Sequence, residues 1–250
     1  MNKPVWLELT DELVKSIFPP VHEVLDAMNA GDLHLAMIPR MALFHLSGCL
    51  HSSMRANEQG LHSAVICLVR QCVEALTLVD LGLQAAEYRE PRLEAWDSGK
   101  LTHGKMRQSL EADVWARYGN GLWDESWTDY FGNLARSVQP YAHYSPVLMG
   151  WQMSVVDNDA SNRFHVAIGP AVYDSLKASR ITLLHSLVLW TSGRIVGENT
   201  ANPEWQPITD QVDALGRSLG QSKLLLGTKN WADELAPHML FRPGYDWRDA

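Results

Sequence analysis

Cysteine is scarce in this 250-residue sequence: Cys49, Cys67 and Cys72 only, with no Cys-x-x-Cys pair among them. So sparse and odd a set, lying within apolar helical patterns, excludes a disulfide framework and a thiolate zinc site. It reads as free thiols in a reducing compartment. Positive charge is also short, with 21 Lys and Arg against 29 Asp and Glu for a net charge of -8. That balance argues against broad binding to nucleic-acid backbones, although it leaves room for a small local basic site. Long apolar runs are missing too. The longest mainly apolar stretch, 181–190, is about half a membrane span and lies between Arg180 and Arg194. The first residues hold no apolar core of the signal-peptide type, so the expectation is a soluble, cytoplasmic chain with no membrane partner. Several catalytic signatures are absent: the Gly-x-x-x-x-Gly-Lys phosphate loop, Gly-x-Gly-x-x-Gly, Gly-x-Ser-x-Gly and His-Glu-x-x-His.

What is present is ordinary globular material. Apolar residues make up 46% and charged residues 20%, enough for one large domain with a sizeable core. Ten tryptophans are read mainly as packing. Residues 10–29 read as helical, with Thr10 as N-cap and a break at Pro19-Pro20. In 32–57, Leu33, Met37, Met41 and Phe44 form one stripe, and Leu43, Leu46, Leu50 and Met54 an adjacent one, of an amphipathic helix facing a core. The segment 60–86 is apolar nearly all round and is expected at the centre of a bundle. Residues 87–103 read as a charged surface connection. A helix is expected over 104–118, then one capped by Asp124 with Trp127, Phe131, Leu134 and Val138 on its face. A polar loop over 153–162, an extended piece at 164–168 and a long helix opened by Gly169-Pro170 follow. A modest amphipathic helix carries Ile208, Val212, Leu215 and Leu219. The fold class is therefore all-α, a bundle of about five to seven helices with short irregular or extended segments. The bundle is expected over 1–198, with its core at 32–197. Residues 199–250 are expected as an extension that packs on the bundle or on a partner.

Two pairs of residues carry the chemistry. Arg70 and Glu74 lie one turn apart on the most apolar helix, where a charge must be paired or line a cavity. Their readings are an i to i+4 ion pair or a support beneath a polar site. Arg136 and His143 combine a phosphate-binding cation with a proton-transfer group, and Pro140 between them is expected to end the helix. In one continuous helix, groups seven positions apart stand about 10 Å apart along the axis. A turn at Pro140 would fold His143 back toward Arg136. The plain reading of this pair is an exposed helix end, with Arg136 meeting the terminal carbonyls. His45 and Cys49 share a helical face, with His51 nearby, but without a third ligand at the right spacing they read as packing, not metal ligands. The other histidines, among them His103, have no partner signature. No cofactor is expected.

The segment Leu134-Ala-Arg-Ser followed by His143-Tyr-Ser-Pro, late in a helical bundle, resembles the HEPN superfamily, as does the preceding long helix with its Arg and Glu. The resemblance spans about 32–197 and implies metal-independent RNA cleavage, in which the ribose 2′-hydroxyl attacks the adjacent phosphate. On that pattern His143 moves a proton and Arg136 holds the phosphorane charge. A homodimer supplies the second proton-transfer group, and Tyr141 and Tyr144 stack on bases. The implied activity is an endoribonuclease of defence or toxin type, with an antitoxin or defence-system protein as partner. The acidic balance and Pro140 carry the other expectation: a non-catalytic HEPN-like module that binds a nucleotide or a protein.

Overall fold

The computed structural model describes residues 5–28, 33–144, 146–158, 164–168, 173–200 and 205–221. Among these the fold is all-α, with one small hairpin. The helices are α1 (Val5–Ser16), α2 (Phe18–Met28), α3 (Leu33–Glu58), α4 (His62–Gly82), α5 (Ala86–Asp97), α6 (His103–Asp113), α7 (Trp127–Val138), α8 (Pro146–Trp151), α9 (Ser175–Asn199) and α10 (Gln206–Gln221). Two 3₁₀ turns, Trp115–Tyr118 and Gln139–Ala142, follow α6 and α7. The strands β1 (Met153–Asn158) and β2 (Phe164–Ile168) pair antiparallel, with an irregularity between Val155 and Asp157. The ten helices exceed the expected five to seven because 5–28 divides in two and because α5 and α8 are full elements.

The helix α4 lies at the centre, touching α3, α5, α6, α7, α8 and α9. Val65, Ile66, Val69, Cys72, Val73, Leu76 and Val79 are all buried, as an all-round apolar helix requires. Its last turn meets α3 closely. A β-carbon on Gly82 would overlap the ring of Pro39, so the smallest residue stands where the two helices approach. Beside α4, Trp115, Tyr118, Trp127, Tyr130, Phe131 and Trp190 form an aromatic cluster of edge, tilted and stacked contacts. The α4 carboxylate of Asp80 is sealed beneath it and accepts from the Tyr118 hydroxyl at 2.6 Å, Trp115 Nε1 at 2.9 Å and Gln84 Nε2 at 2.9 Å. Burial pushes its pKa up to about 6, against the pull of these donors.

Several local expectations are corrected. Thr10 sits inside α1, not at its start, and its hydroxyl donates to the Trp6 carbonyl at 2.6 Å while meeting Ser186 Oγ at 2.7 Å. Asp124 takes a left-handed backbone conformation (φ 58°), and Ser126 is the N-cap of α7, accepting from the Asp129 amide at 3.1 Å. Residues 86–97 are helical although only Leu93 is a buried apolar position there. Polar bonds hold this helix in place: Arg89 to the Gln84 carbonyl, and Arg92 to Ser109 Oγ while lying 3.6 Å over the Tyr88 ring.

On α3 the core takes the stripe of Leu43, Leu46 and Leu50, and the stripe of Leu33, Met37, Met41 and Phe44 faces outward at 70, 37, 57 and 55% exposure. Periodicity identified both stripes; which of them the neighbouring helices cover is a tertiary matter. Among the described residues α3 is also the one helix whose length and apolarity match a membrane span, with 44% of that window buried in the bundle.

The amphipathic helix of the expected extension is α10, which packs on α1 and α9 through Ile208, Val212, Leu215 and Leu219. The Gly169-Pro170 helix opening and the short apolar pieces beyond 221 lie outside the described residues.

Candidate functional site

Arg70 projects from the side of α4 that faces the end of α7. Its Nε and Nη2 both donate to Glu74 Oε1, at 3.0 and 2.7 Å, and its Nη1 donates to the main-chain carbonyl of Gln139 at 3.3 Å. One guanidinium thus pairs a carboxylate and also reaches a main-chain carbonyl where α7 passes into its 3₁₀ turn.

Gln139 is where α7 passes directly into its 3₁₀ turn. Pro140 does not reverse the chain; it occupies the first turn of the 3₁₀ segment, and the backbone becomes extended only at His143. Three open cavities surround this anchor. The first, about 320 Å³, lies between α4, α6 and α7 and is lined by Arg70, Glu74, Thr102, His103, Arg107 and Gln139, among others. The second, about 340 Å³, lies between α4 and the turn and is lined by Arg70, Glu74, Tyr141, His143 and Tyr144, among others. The third, about 730 Å³ and mostly apolar, opens between α3, α4, α5 and α6. Glu74 lines all three.

The structure therefore brings Arg70, Glu74 and His143 together but does not bring Arg136 to them. Exposed His143 shares the second cavity with the Arg70–Glu74 pair. Arg136 is also exposed, donates to Asn133 one turn back, and stands near Arg107 instead. The two stacking candidates separate as well. Tyr144 is 69% exposed and its hydroxyl donates to Gln152 Oε1 at 3.4 Å. Tyr141 is buried, its hydroxyl accepts from Trp151 Nε1 at 3.2 Å, and burial pushes its pKa up to about 12. An interior phenol cannot stack on a base, so Tyr141 is a packing residue.

Two functional candidates were missed by the sequence reading. Arg107, half-buried on α6, makes no hydrogen bond or ion pair among the described residues. Burial pulls its pKa down, the nearby Arg136 adds to the lowering, and Glu111 and Glu74 oppose it. His103, at the start of α6, lines the first and third cavities, and its Nδ1 is enclosed without a hydrogen-bond partner among the described residues. Burial lowers its pKa, which keeps the ring neutral near pH 7. A sequence signal existed for both. His103, Met106, Leu110 and Val114 repeat at three and four, placing His103 on the buried stripe, and Arg107 borders that stripe. Thr102, the N-cap of α6, accepts from the Lys105 amide, so the first cavity also meets the amide-rich end of a helix.

Of the residues considered for metal chemistry, Cys49 is buried while His45 and His51 are exposed, and each is engaged by local bonds. Cys49 Sγ lies 3.5 Å from His45 Nε2, that nitrogen is 3.0 Å from Gln71 Oε1, and His51 Nδ1 bonds the Ser47 carbonyl at 2.8 Å. No three His, Cys, Asp or Glu side chains gather among the described residues. Burial raises the pKa of all three free thiols, which disfavours the reactive thiolate. Comparison with protein-family models, curated proteins and solved structures gives no match.

Proposed function

We propose that the surface formed by α4, the start of α6 and the end of α7 binds a few phosphate groups of a nucleotide or of single-stranded RNA. The observation that carries this reading is Arg107. A half-buried guanidinium with no hydrogen bond or ion pair among the described residues and only the fields of Glu111 and Glu74 to offset it, beside Arg136 and lining one cavity with Arg70, is better satisfied when an anion completes it. Guanidinium forks match phosphate oxygens in pairs, and the amides at the start of α6 add donors of the same sign. A compact group of three arginines reconciles phosphate binding with the net charge of -8, since only the local field need be positive. The test is a fluorescence-anisotropy titration of a labelled single-stranded RNA, repeated with rising salt and with AMP as competitor. Saturable binding that weakens with salt and is displaced by AMP supports the reading. Affinity indifferent to salt would remove its electrostatic basis.

One observation favours a second, catalytic reading of the same surface. His143 is exposed, lines a cavity with the Arg70–Glu74 pair, and makes no hydrogen bond among the described residues. On this reading the chain is a HEPN-like endoribonuclease. His143 exchanges a proton with the ribose 2′-hydroxyl or the leaving 5′-oxygen, and the arginines carry the charge that builds on phosphorus. One imidazole cannot be base and acid in a single step, so this reading requires two chains presenting two His143 rings to one phosphodiester. The separation of Arg136 from the His143 cavity favours the binding-only form. Incubation with RNA in EDTA decides between them: 2′,3′-cyclic phosphate ends that disappear in His143→Ala establish cleavage, and intact RNA in both proteins leaves the binding module.

A further inference from the structure

We infer that the apolar cavity between α3, α4, α5 and α6 is a small-molecule site for an apolar amine, a ring or chain body carrying one N–H-donating cationic group. Its volume of about 730 Å³ lies within the roughly 300–1,000 Å³ of ligand pockets. Met37, Met41, Leu78 and Trp96 supply its apolar walls. Methionine adapts its shape to a ligand, and an indole face attracts cations.

Charge decides the class of ligand. Among the described residues no lysine or arginine lines the cavity, and Glu74 is the one carboxylate in its wall. Both of the hydrogen bonds that Arg70 gives Glu74 fall on Oε1, which leaves Oε2 without one among the described residues. Arg70 itself lines the other two cavities, not this one. Of the three histidines in the wall, His103 is held neutral by burial, His34 is paired with Asp97 at 3.0 Å, and His45 is bonded to Gln71. The cavity therefore presents apolar walls with an incompletely partnered carboxylate, the complement of a lipophilic cation. The site does not depend on phosphate binding next door.

The experiment is calorimetric titration of the full chain with three probes of one body: 2-(1-naphthyl)ethylamine, 2-(1-naphthyl)ethanol and 1-naphthylacetate. The expected result is one amine bound per chain, about ten-fold tighter than the alcohol, as one charge-assisted hydrogen bond implies, with the acetate weakest. Glu74→Gln erases the preference for amine over alcohol. Met41→Arg, at an exposed position where folding is not at risk, weakens the amine selectively, and Ala75→Phe, if folded by circular dichroism, excludes all three. The inference is overturned if the acetate binds as well as the amine, if none of the probes binds, or if binding ignores both Met41→Arg and Ala75→Phe. It is equally overturned if light scattering shows a dimer that Met41→Arg dissociates while no probe binds the wild type, since a second copy then occupies the groove.

Discussion

Arg70 on α4 reaches the main-chain carbonyl of Gln139, the residue at which α7 becomes a 3₁₀ turn, while its other donors hold Glu74. A side chain from the central helix therefore fixes the segment that presents His143 and Tyr144. The pair has the i to i+4 form the sequence implied, but its connection to Gln139 makes it more than a local surface bridge.

Replacing Arg70 by methionine tests that connection. The pair is a quarter to a third exposed, so its Coulombic part is small, and the loss of the carbonyl bond dominates at about 1 kcal/mol. Urea denaturation is expected to show a decrease of that size, and RNA affinity is expected to fall with it. Lysine at the same position restores charge but not the three-way donor geometry, so it recovers RNA affinity only in part.

The neighbouring tyrosines are expected to respond oppositely. Tyr141→Ala removes an interior ring and its bond with Trp151, at a cost of roughly 3 kcal/mol in stability. Tyr144→Ala leaves stability within about 0.5 kcal/mol. If Tyr144 stacks on a base, that variant loses about 1–3 kcal/mol of single-stranded RNA binding. Thermal melts and anisotropy titrations separate the two effects.

Acid sensitivity is expected to centre on His185. Its ring is buried against Ser53 Oγ at 2.7 Å, and burial lowers its pKa from 6.5 to about 3. The unfolded imidazole takes up a proton below pH about 6.5, which the folded one refuses until near 3, so stability is lost as pH falls through that window. Between pH 7 and 4.5 the wild type is expected to lose roughly 2–3 kcal/mol more than His185→Gln. Asp80 works in the opposite sense, its raised pKa favouring the fold at low pH. Because it is present in both proteins, the difference in urea midpoints isolates His185.

Gly82→Ala is expected to push α4 away from α3 where Gly82 meets Pro39. The added methyl meets the Pro39 ring, both partners are buried, and overpacking of this kind costs about 1–3 kcal/mol. A midpoint unchanged from wild type would mean that the helices slide apart freely.

Much of this architecture was legible because apolar spacing reports which residues are interior. The all-round apolarity of α4, the face of α7 and the stripe of α10 each survive in the structure. The failures share a cause. Two apolar stripes on α3 looked equivalent until neighbouring helices covered one of them, and α5 carries almost no apolar pattern, since Arg89 and Arg92 hold it through polar bonds. At the candidate site, Arg70 and Glu74 stood out as charges on an apolar helix. His103 and Arg107 did not, because their setting depends on where α6 packs against α4 and α7. Motif spacing placed Arg136 with His143, whereas the 3₁₀ turn placed His143 with Arg70.

The most direct test of phosphate binding compares Arg107→Gln with the wild type for single-stranded RNA across a salt series. Arg107 has no partner among the described residues, so stability is expected to hold or rise slightly as repulsion from Arg136 is relieved. Affinity is expected to fall about ten-fold, and the slope of log affinity against log salt to shrink by about one. Unchanged affinity and slope in a folded Arg107→Gln protein would contradict the account, leaving the three arginines as surface charge without a ligand.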